Sequence, residues 1–137
     1  MTQVTTGKAK PLPVFDRRVA SETDSVSTTS PAFVDIPGMS LTTINSQALI
    51  YIITFKGNFS TNVKNRKLET RIVVDGTPVT SSTTRGKPGA ANDSLVISTQ
   101  HLASISNGKV IKVQYKCIDA NTTVTATERN LIIDGKL

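Results

Sequence analysis

The side chains best suited to chemistry are few and widely spaced. The chain contains one His, His101, one Cys, Cys117, and no Trp. A metal site needs several convergent His, Cys or carboxylate ligands, and His101 has no such partner close to it in the sequence. Cys117 has no second Cys for a disulfide within the chain and alternates with Val113 and Tyr115, so we expect a small core residue. This composition favours assembly or binding over catalysis, and we expect no metal and no cofactor.

The carboxylates are also explained without catalysis. Asp75 precedes Gly76, and Asp93 and Asp119 fall at a strand start and a turn, where Asp side chains favour the local backbone. Nothing in the sequence favours a pair of carboxylates placed for glycosidic cleavage. The segment 86–89 lacks the spacing of a phosphate-binding loop and is not followed by a helix pattern. We therefore predict that the protein is not an enzyme.

The charge of the chain is strongly positive. Lys and Arg number 16 against 10 Asp and Glu, a formal net charge of +6, which favours an acidic surface or a polyanion as a partner. With two Tyr and four Phe, none interleaved with the basic residues, a stacking platform for bases is missing. We expect solvated charge or salt bridges to a neighbouring subunit and no nucleic-acid partner. The basic residues form two clusters: Lys8, Lys10, Arg17 and Arg18, then Lys64, Arg66, Lys67 and Arg71.

The first 24 residues carry too little apolar surface to fold alone. Pro11 and Pro13 favour extended geometry, because Pro fixes its own φ and restricts the preceding residue. We predict an extended basic arm over 1–24 and one β-sandwich domain over 25–137. The arm either docks on a neighbour or remains a disordered tail, and the sequence leaves both open. The beginning of the sequence lacks the apolar core of a signal peptide, so we expect synthesis in a reducing cytoplasm and no membrane partner.

From residue 25 onward, short apolar strands alternate with turn signals. Pro37-Gly38 predicts a break, Asp75-Gly76 a tight hairpin turn, and 81–92 an exposed loop. Residues 100–106 suggest at most one helical turn. Helices do not alternate with the strands, so we predict an all-β fold, an antiparallel β-sandwich or jelly roll. Strands are predicted at 25–30, 32–36, 39–44, 48–59, 68–74, 77–80, 94–99, 109–118, 122–127 and 129–134.

The longest apolar run, 48–59, has apolar residues on both faces at its start. Leu49, Tyr51 and Ile53 lie on one face, and Ile50 and Ile52 lie on the other. Such a run predicts a central strand. Gly57 within it predicts a bulge or a close contact.

Four stretches of the chain resemble a module of tailed-bacteriophage virion proteins, which is itself similar to the trimeric jelly rolls of the tumour-necrosis-factor and C1q type. They are strand signatures, without an active-site fingerprint. The similarity covers about 25–137 and leaves the arm outside it. The stretches are 27–41, 71–79, 110–115 and 129–133.

This resemblance implies a homotrimer in which a sheet face of each subunit is buried against its neighbours, in a virion assembled in the host cytoplasm. A short arm on a compact β head suits a capsid decoration or cement protein, with the major capsid protein or another virion protein as partner. The alternative is the head of a tail or head fibre, which would bind a host receptor or glycan through Arg85 and Lys87 in the loop 81–92. For the first, the proposed docking residues are Pro11, Leu12, Val14, Phe15, Arg17 and Arg18.

Overall fold

The computed structural model describes residues 14–137 as two antiparallel sheets packed face to face. This confirms the predicted all-β sandwich. A 3-10 turn at Thr80–Ser82 is the one helical element of these residues, and none of their helices could cross a bilayer. The strands are β1 (Phe15–Glu22), β2 (Val26–Thr28), β3 (Val34–Thr42), β4 (Leu49–Thr61), β5 (Leu68–Val74), β6 (Thr77–Pro78), β7 (Thr84–Gly86), β8 (Leu95–Ile105), β9 (Val110–Cys117) and β10 (Val124–Lys136).

Each sheet contains five strands. The first sheet has the order β1-β10-β4-β8, with β2 also paired to β10, and the second has the order β3-β9-β5-β6, with β7 also paired to β5. Alternate side chains of both sheets point inward and form one core. Burial of each large apolar side chain contributes roughly 1.5–3 kcal/mol before the entropy cost of ordering it. The largest fully buried side chains include Tyr51, Tyr115, Phe55, Phe59 and Met39.

Strand β4 lies inside the first sheet between β10 and β8, as the sequence predicts for a central strand. Gly57 marks both a close contact and an irregularity. A Cβ at Gly57 would lie 2.9 Å from the Phe59 ring and 3.0 Å from the Phe55 ring. Opposite, the register of β10 shifts between Ala126 and Arg129, as in a β-bulge. A glycine is therefore required where two rings and a bulge meet.

Three local predictions differ from the structure. Residues 100–105 continue β8 as a strand, because β8 pairs with β4 along its whole length and Leu102 lies opposite Ile52. Pro37 and Gly38 do not end a strand but lie within β3, where the register shifts and Gly38 has φ of +80°. The loop 81–92 contains β7, whose Gly86 is buried because its Cα hydrogens face Leu95 and Ile97. The hairpin turn at Asp75-Gly76 is as predicted, with Val74 paired to Thr77.

The segment just before residue 24 belongs to the first sheet. Strand β1 pairs with β10 from Phe15 opposite Lys136 to Glu22 opposite Arg129, although the sequence analysis places it in the extended arm. The reason is that β1 is attached by polar contacts, which an apolar pattern does not reveal. Residues 1–13, including Pro11 and Leu12, lie outside the described residues.

Candidate functional site

The outer face of the first sheet exposes apolar side chains on neighbouring strands. Ile52 lies opposite Leu102 on β8 and opposite Asp134 on β10, and Ile132 lies opposite Val19 on β1. Leu102 is 62% exposed and Ile50 54% exposed. Soluble monomers seldom leave a large contiguous apolar surface without a partner. We call this surface the apolar face; its residues are Val19, Ile50, Ile52, Leu102 and Ile132.

A shallow open depression of about 260 Å³ lies in the apolar face. Ile50, Ile52 and Leu102 form its apolar floor, and Asp134 and Lys136 of β10 stand at its edge. Since one acidic and one basic side chain stand beside the apolar floor, a second protein surface could bury the apolar atoms and pair the charges. The arrangement suits protein contact better than an enclosed small-molecule site, which would surround its ligand.

Strand β1 is held on the sandwich by the buried carboxylate of Asp16. Arg18 Nε donates to Asp16 Oδ1 at 2.9 Å, and the Tyr51 hydroxyl donates to Oδ2 at 2.7 Å. The backbone N–H of Ile44 also donates to Oδ2, at 2.9 Å. Burial raises the pKa of the Asp16 carboxyl, but the Arg18, Ile44 and Tyr51 hydrogen bonds together hold that pKa below its usual value of 3.8. The start of β1 is therefore a fixed part of the domain.

The predicted docking residues separate into two groups. Val14, Phe15 and Arg17 are exposed at the start of β1. Arg18 instead bonds Asp16 with two guanidinium nitrogens and also donates to the Thr42 carbonyl, so its charge is already paired within the protein. Of the residues in the alternative receptor contact, Arg85 forms an ion pair with Glu69 at 3.0 Å and Lys87 is exposed.

The bulge of β10 carries a buried arginine that the sequence analysis did not single out. Arg129 is 3% exposed, and its guanidinium donates to the carbonyls of Pro37, Asp24 and Thr127 at 3.1, 2.6 and 2.8 Å. It also pairs with the Asp24 carboxylate at 3.0 Å. These bonds join the linker after β1 to the irregular part of β3. An isolated Arg among Thr, Glu and Asn gives no sequence signal for such a role.

The side chains considered for chemistry lie on strands of the sandwich. His101 is half-buried on β8 opposite Ile53. Cys117 is buried, its thiol donates to the Thr28 and Thr122 carbonyls at 3.3 and 3.2 Å, and burial raises the pKa of that thiol. Within residues 14–137, no three His, Cys, Asp or Glu side chains group as metal ligands would.

Comparison with known proteins identifies the fold. No protein-family model matches the sequence. No curated protein matches it either. Among solved structures, the globular domain of the zebrafish complement 1qA protein has a TM-score of 0.52 at 12% identity, over 93% of this chain and 97% of that one. The Eiger TNF of S. frugiperda has a TM-score of 0.57 at 9% identity, over 93% of this chain and 94% of that one. The chain therefore has a jelly-roll fold of the C1q and TNF type, and identities this low establish the fold alone.

Proposed function

We propose that the protein is a non-enzymatic virion component that forms a homotrimer through the apolar face and attaches to the capsid through the start of β1 and the residues before it. The observation that carries this proposal is the apolar face, because five neighbouring apolar side chains on a regular sheet lack a partner within the described residues. The likeness to C1q and TNF domains supports trimer formation. The viral setting is supported by the phage-like strand signatures at 27–41 and 71–79.

The magnitude of the apolar contribution is consistent with stable association. Burial of a half-exposed Ile or Leu side chain contributes roughly 1 kcal/mol. Association costs at least about 4 kcal/mol in translational and rotational freedom. Ile50, Ile52 and Leu102 alone, at about 3 kcal/mol, would fall short of that cost, whereas the whole apolar face on every subunit of a closed trimer would exceed it.

Capsid attachment uses the start of β1, at the edge of the same sheet that carries the apolar face. Strand β1 is at the edge of the first sheet, so its outer edge is open within the described residues and could pair with a strand of another protein. Phe15 is 61% exposed and Arg17 is exposed, which offers one apolar and one cationic contact at that edge. We assign docking to Val14, Phe15 and Arg17, together with Pro11 and Leu12.

The trimer is tested by light scattering on a double variant, Ile52→Lys with Leu102→Lys. These residues lie opposite each other in the apolar face, so two added charges should oppose burial. The expected mass is three times 14.7 kDa for the natural chain and 14.7 kDa for the variant. The matched control is Val110→Lys, an exposed apolar residue of the second sheet that should leave the trimer intact. A monomeric natural chain would refute the proposed trimer.

Docking is tested by mixing the protein with undecorated capsids and counting bound copies by electron microscopy. Removal of residues 1–13 leaves β1 intact, whereas removal of residues 1–20 would also destroy the Asp16 anchor. The expected result of removing residues 1–13 is a trimer that no longer binds capsids, and Phe15→Ser with Arg17→Ser should weaken capsid binding in the otherwise complete chain. Full capsid binding by both variants would refute the docking assignment. A trimer that ignores capsids but binds host cells would favour the fibre-head alternative.

A further inference from the structure

The basic residues of the central part of the sequence gather at one end of the second sheet. The turn 62–67 between β4 and β5 lies beside the segment after β7, because the Asn65 backbone N–H donates to the Pro88 carbonyl at 3.0 Å. The end of β9 lies on the other side, where the Ile118 N–H donates to the Lys67 carbonyl at 3.0 Å. Three separate parts of the chain thus form one surface. We call it the basic patch; its residues are Lys64, Arg66, Lys67, Arg85, Lys87 and Lys116.

The carboxylates of this surface, Glu69 and Asp119, are fewer than its cations. Each of the two already forms an ion pair with a basic side chain of the patch. Glu69 accepts from Arg85 at 3.0 Å and from Lys116 at 3.4 Å, one on each neighbouring strand. Asp119 lies 3.8 Å from the Lys67 ammonium. The remaining basic residues, Lys64, Arg66 and Lys87, form no ion pair with any of residues 14–137.

The protonation behaviour of Asp119 is consistent with a positive local potential. The Lys67 backbone N–H donates to its carboxylate at 2.6 Å and lowers its pKa the most, and the charges of Lys67, Arg66 and Arg85 lower it further. Three charges on two chain segments therefore act on one half-buried carboxylate. An added anion at this surface would meet the same field.

The shape of the basic patch distinguishes between classes of polyanion. Single-stranded nucleic acid is bound by aromatic rings as well as cations, and the basic patch contains no aromatic residue. The nearby Phe33 ring is covered, with the Arg71 guanidinium 4.0 Å and the Lys116 ammonium 4.8 Å from its centre. Sequence-reading proteins insert a helix or a strand ribbon into a duplex groove, and this surface consists of turns and short strand ends.

We propose that the basic patch binds a linear acidic polysaccharide through its carboxylate, sulfate or phosphate groups. Such a chain needs cations at intervals and hydrogen-bond donors, which Lys64, Arg66 and Lys87 supply without losing an internal partner. The basic patch lies on the second sheet, whereas the apolar face and β1 lie on the first. This binding therefore goes beyond capsid attachment and does not depend on it.

The experiment measures binding of the purified full chain to alginate, to dextran sulfate, to neutral dextran and to duplex DNA at about 50 mM salt, where screening is weak. The natural chain should bind the two acidic polysaccharides and ignore neutral dextran. Lys64→Gln with Lys87→Gln should weaken that binding about tenfold, since each exposed charge pair in water is worth up to about a factor of five. Raising the salt should weaken the natural chain more steeply than the variant.

The matched control is Lys56→Gln with Lys109→Gln, which removes the same charge from the first sheet and from the opposite end of the second. Its affinity for both polysaccharides should stay within about twofold of the natural chain, since distant charges are screened. Equal losses in the two variants would overturn the proposal, because net charge alone would then explain binding. Tighter binding of duplex DNA than of either polysaccharide, or no binding at all, would also overturn it. Light scattering and capsid binding of the same variants test the proposed function separately, since both properties should be unchanged.

Discussion

At the scale of single residues, a few polar side chains determine how the first sheet is completed. Asp16 accepts from Arg18, Tyr51 and the Ile44 backbone, although it is only 5% exposed. A buried carboxylate is tolerated here because each oxygen has partners, and one of those partners is a cation. The cost of removing the charge should therefore exceed that of an ordinary surface mutation.

We predict that Asp16→Asn lowers the free energy of unfolding by about 2–3 kcal/mol at pH 7, since Arg18 would lose its ionic partner. The folded-state pKa of Asp16 is lowered, so its stabilisation is complete above the unfolded value near 3.8 and is lost as pH falls through the folded pKa. Urea unfolding across pH 7 to about 2 measures both effects, and the two proteins should converge in acid.

The control for this prediction is Asp93→Asn, an exposed carboxylate with no ion pair among residues 14–137. It should change stability by less than about 0.5 kcal/mol. If Asp16→Asn lost the same stability at every pH, the charge of Asp16 would not be the source of its effect.

At the scale of elements, some strands could be predicted from sequence and others could not. The strands β4, β5 and β9 largely alternate buried residues with half-buried or exposed ones, and the Asp75-Gly76 turn fixes one register, so pattern alone locates them. For the second half of β8 the sequence predicts at most one helical turn, because Leu102 faces outward and Ile105 inward, a spacing that also fits a helix. Pairing with β4 decides the conformation, and pairing is not a local property.

The same argument explains why the candidate surfaces were only partly predicted. The two-sided apolar run 48–59 predicts the outward positions of Ile50 and Ile52. Leu102 and Val19 join them only through strand pairing across the first sheet. Likewise, the clusters 64–67 and 85–87 are separate in sequence and become one surface through the Asn65 to Pro88 hydrogen bond.

We predict that Arg129→Gln loosens the linker between β1 and β2 together with the irregular middle of β3. Glutamine is too short to reach both the Pro37 and Asp24 carbonyls, which would leave carbonyl groups without donors. Amide hydrogen exchange should become at least about tenfold faster at residues 23–28 and 36–40 and change little in β9. Uniformly faster exchange in all strands would indicate global destabilisation and contradict the local role.

At the scale of the whole molecule, the two outer faces differ in chemistry. The first sheet presents the apolar face, and the second presents Lys112, Lys116 and Arg71 among paired carboxylates. A sandwich with one apolar and one basic face has a preferred orientation at any assembly surface: the apolar side is covered and the basic side remains in solvent. This division supports placing self-association and polyanion binding on opposite sides.

We predict that the thermal midpoint of the natural chain rises with protein concentration, because self-association stabilises the folded state by mass action. A hundredfold increase in concentration should raise it by several degrees for a domain of this size. The variant with Ile52→Lys and Leu102→Lys should show a midpoint that does not depend on concentration. Differential scanning calorimetry at several concentrations provides the measurement, and a constant midpoint in the natural chain would contradict association coupled to folding.

The pairing of Phe15 with Lys136 has a practical consequence. Since these residues lie directly opposite each other on adjacent strands, a few glycines should suffice to join residue 137 to residue 14. New ends could then open at Asp75-Gly76, an exposed turn in which a Cβ on Gly76 would meet nothing within 4 Å. In such a circularly permuted chain, the only connection cut would be the turn that joins β5 to β6. It would also present a fused cargo at the turn between β5 and β6 of the second sheet.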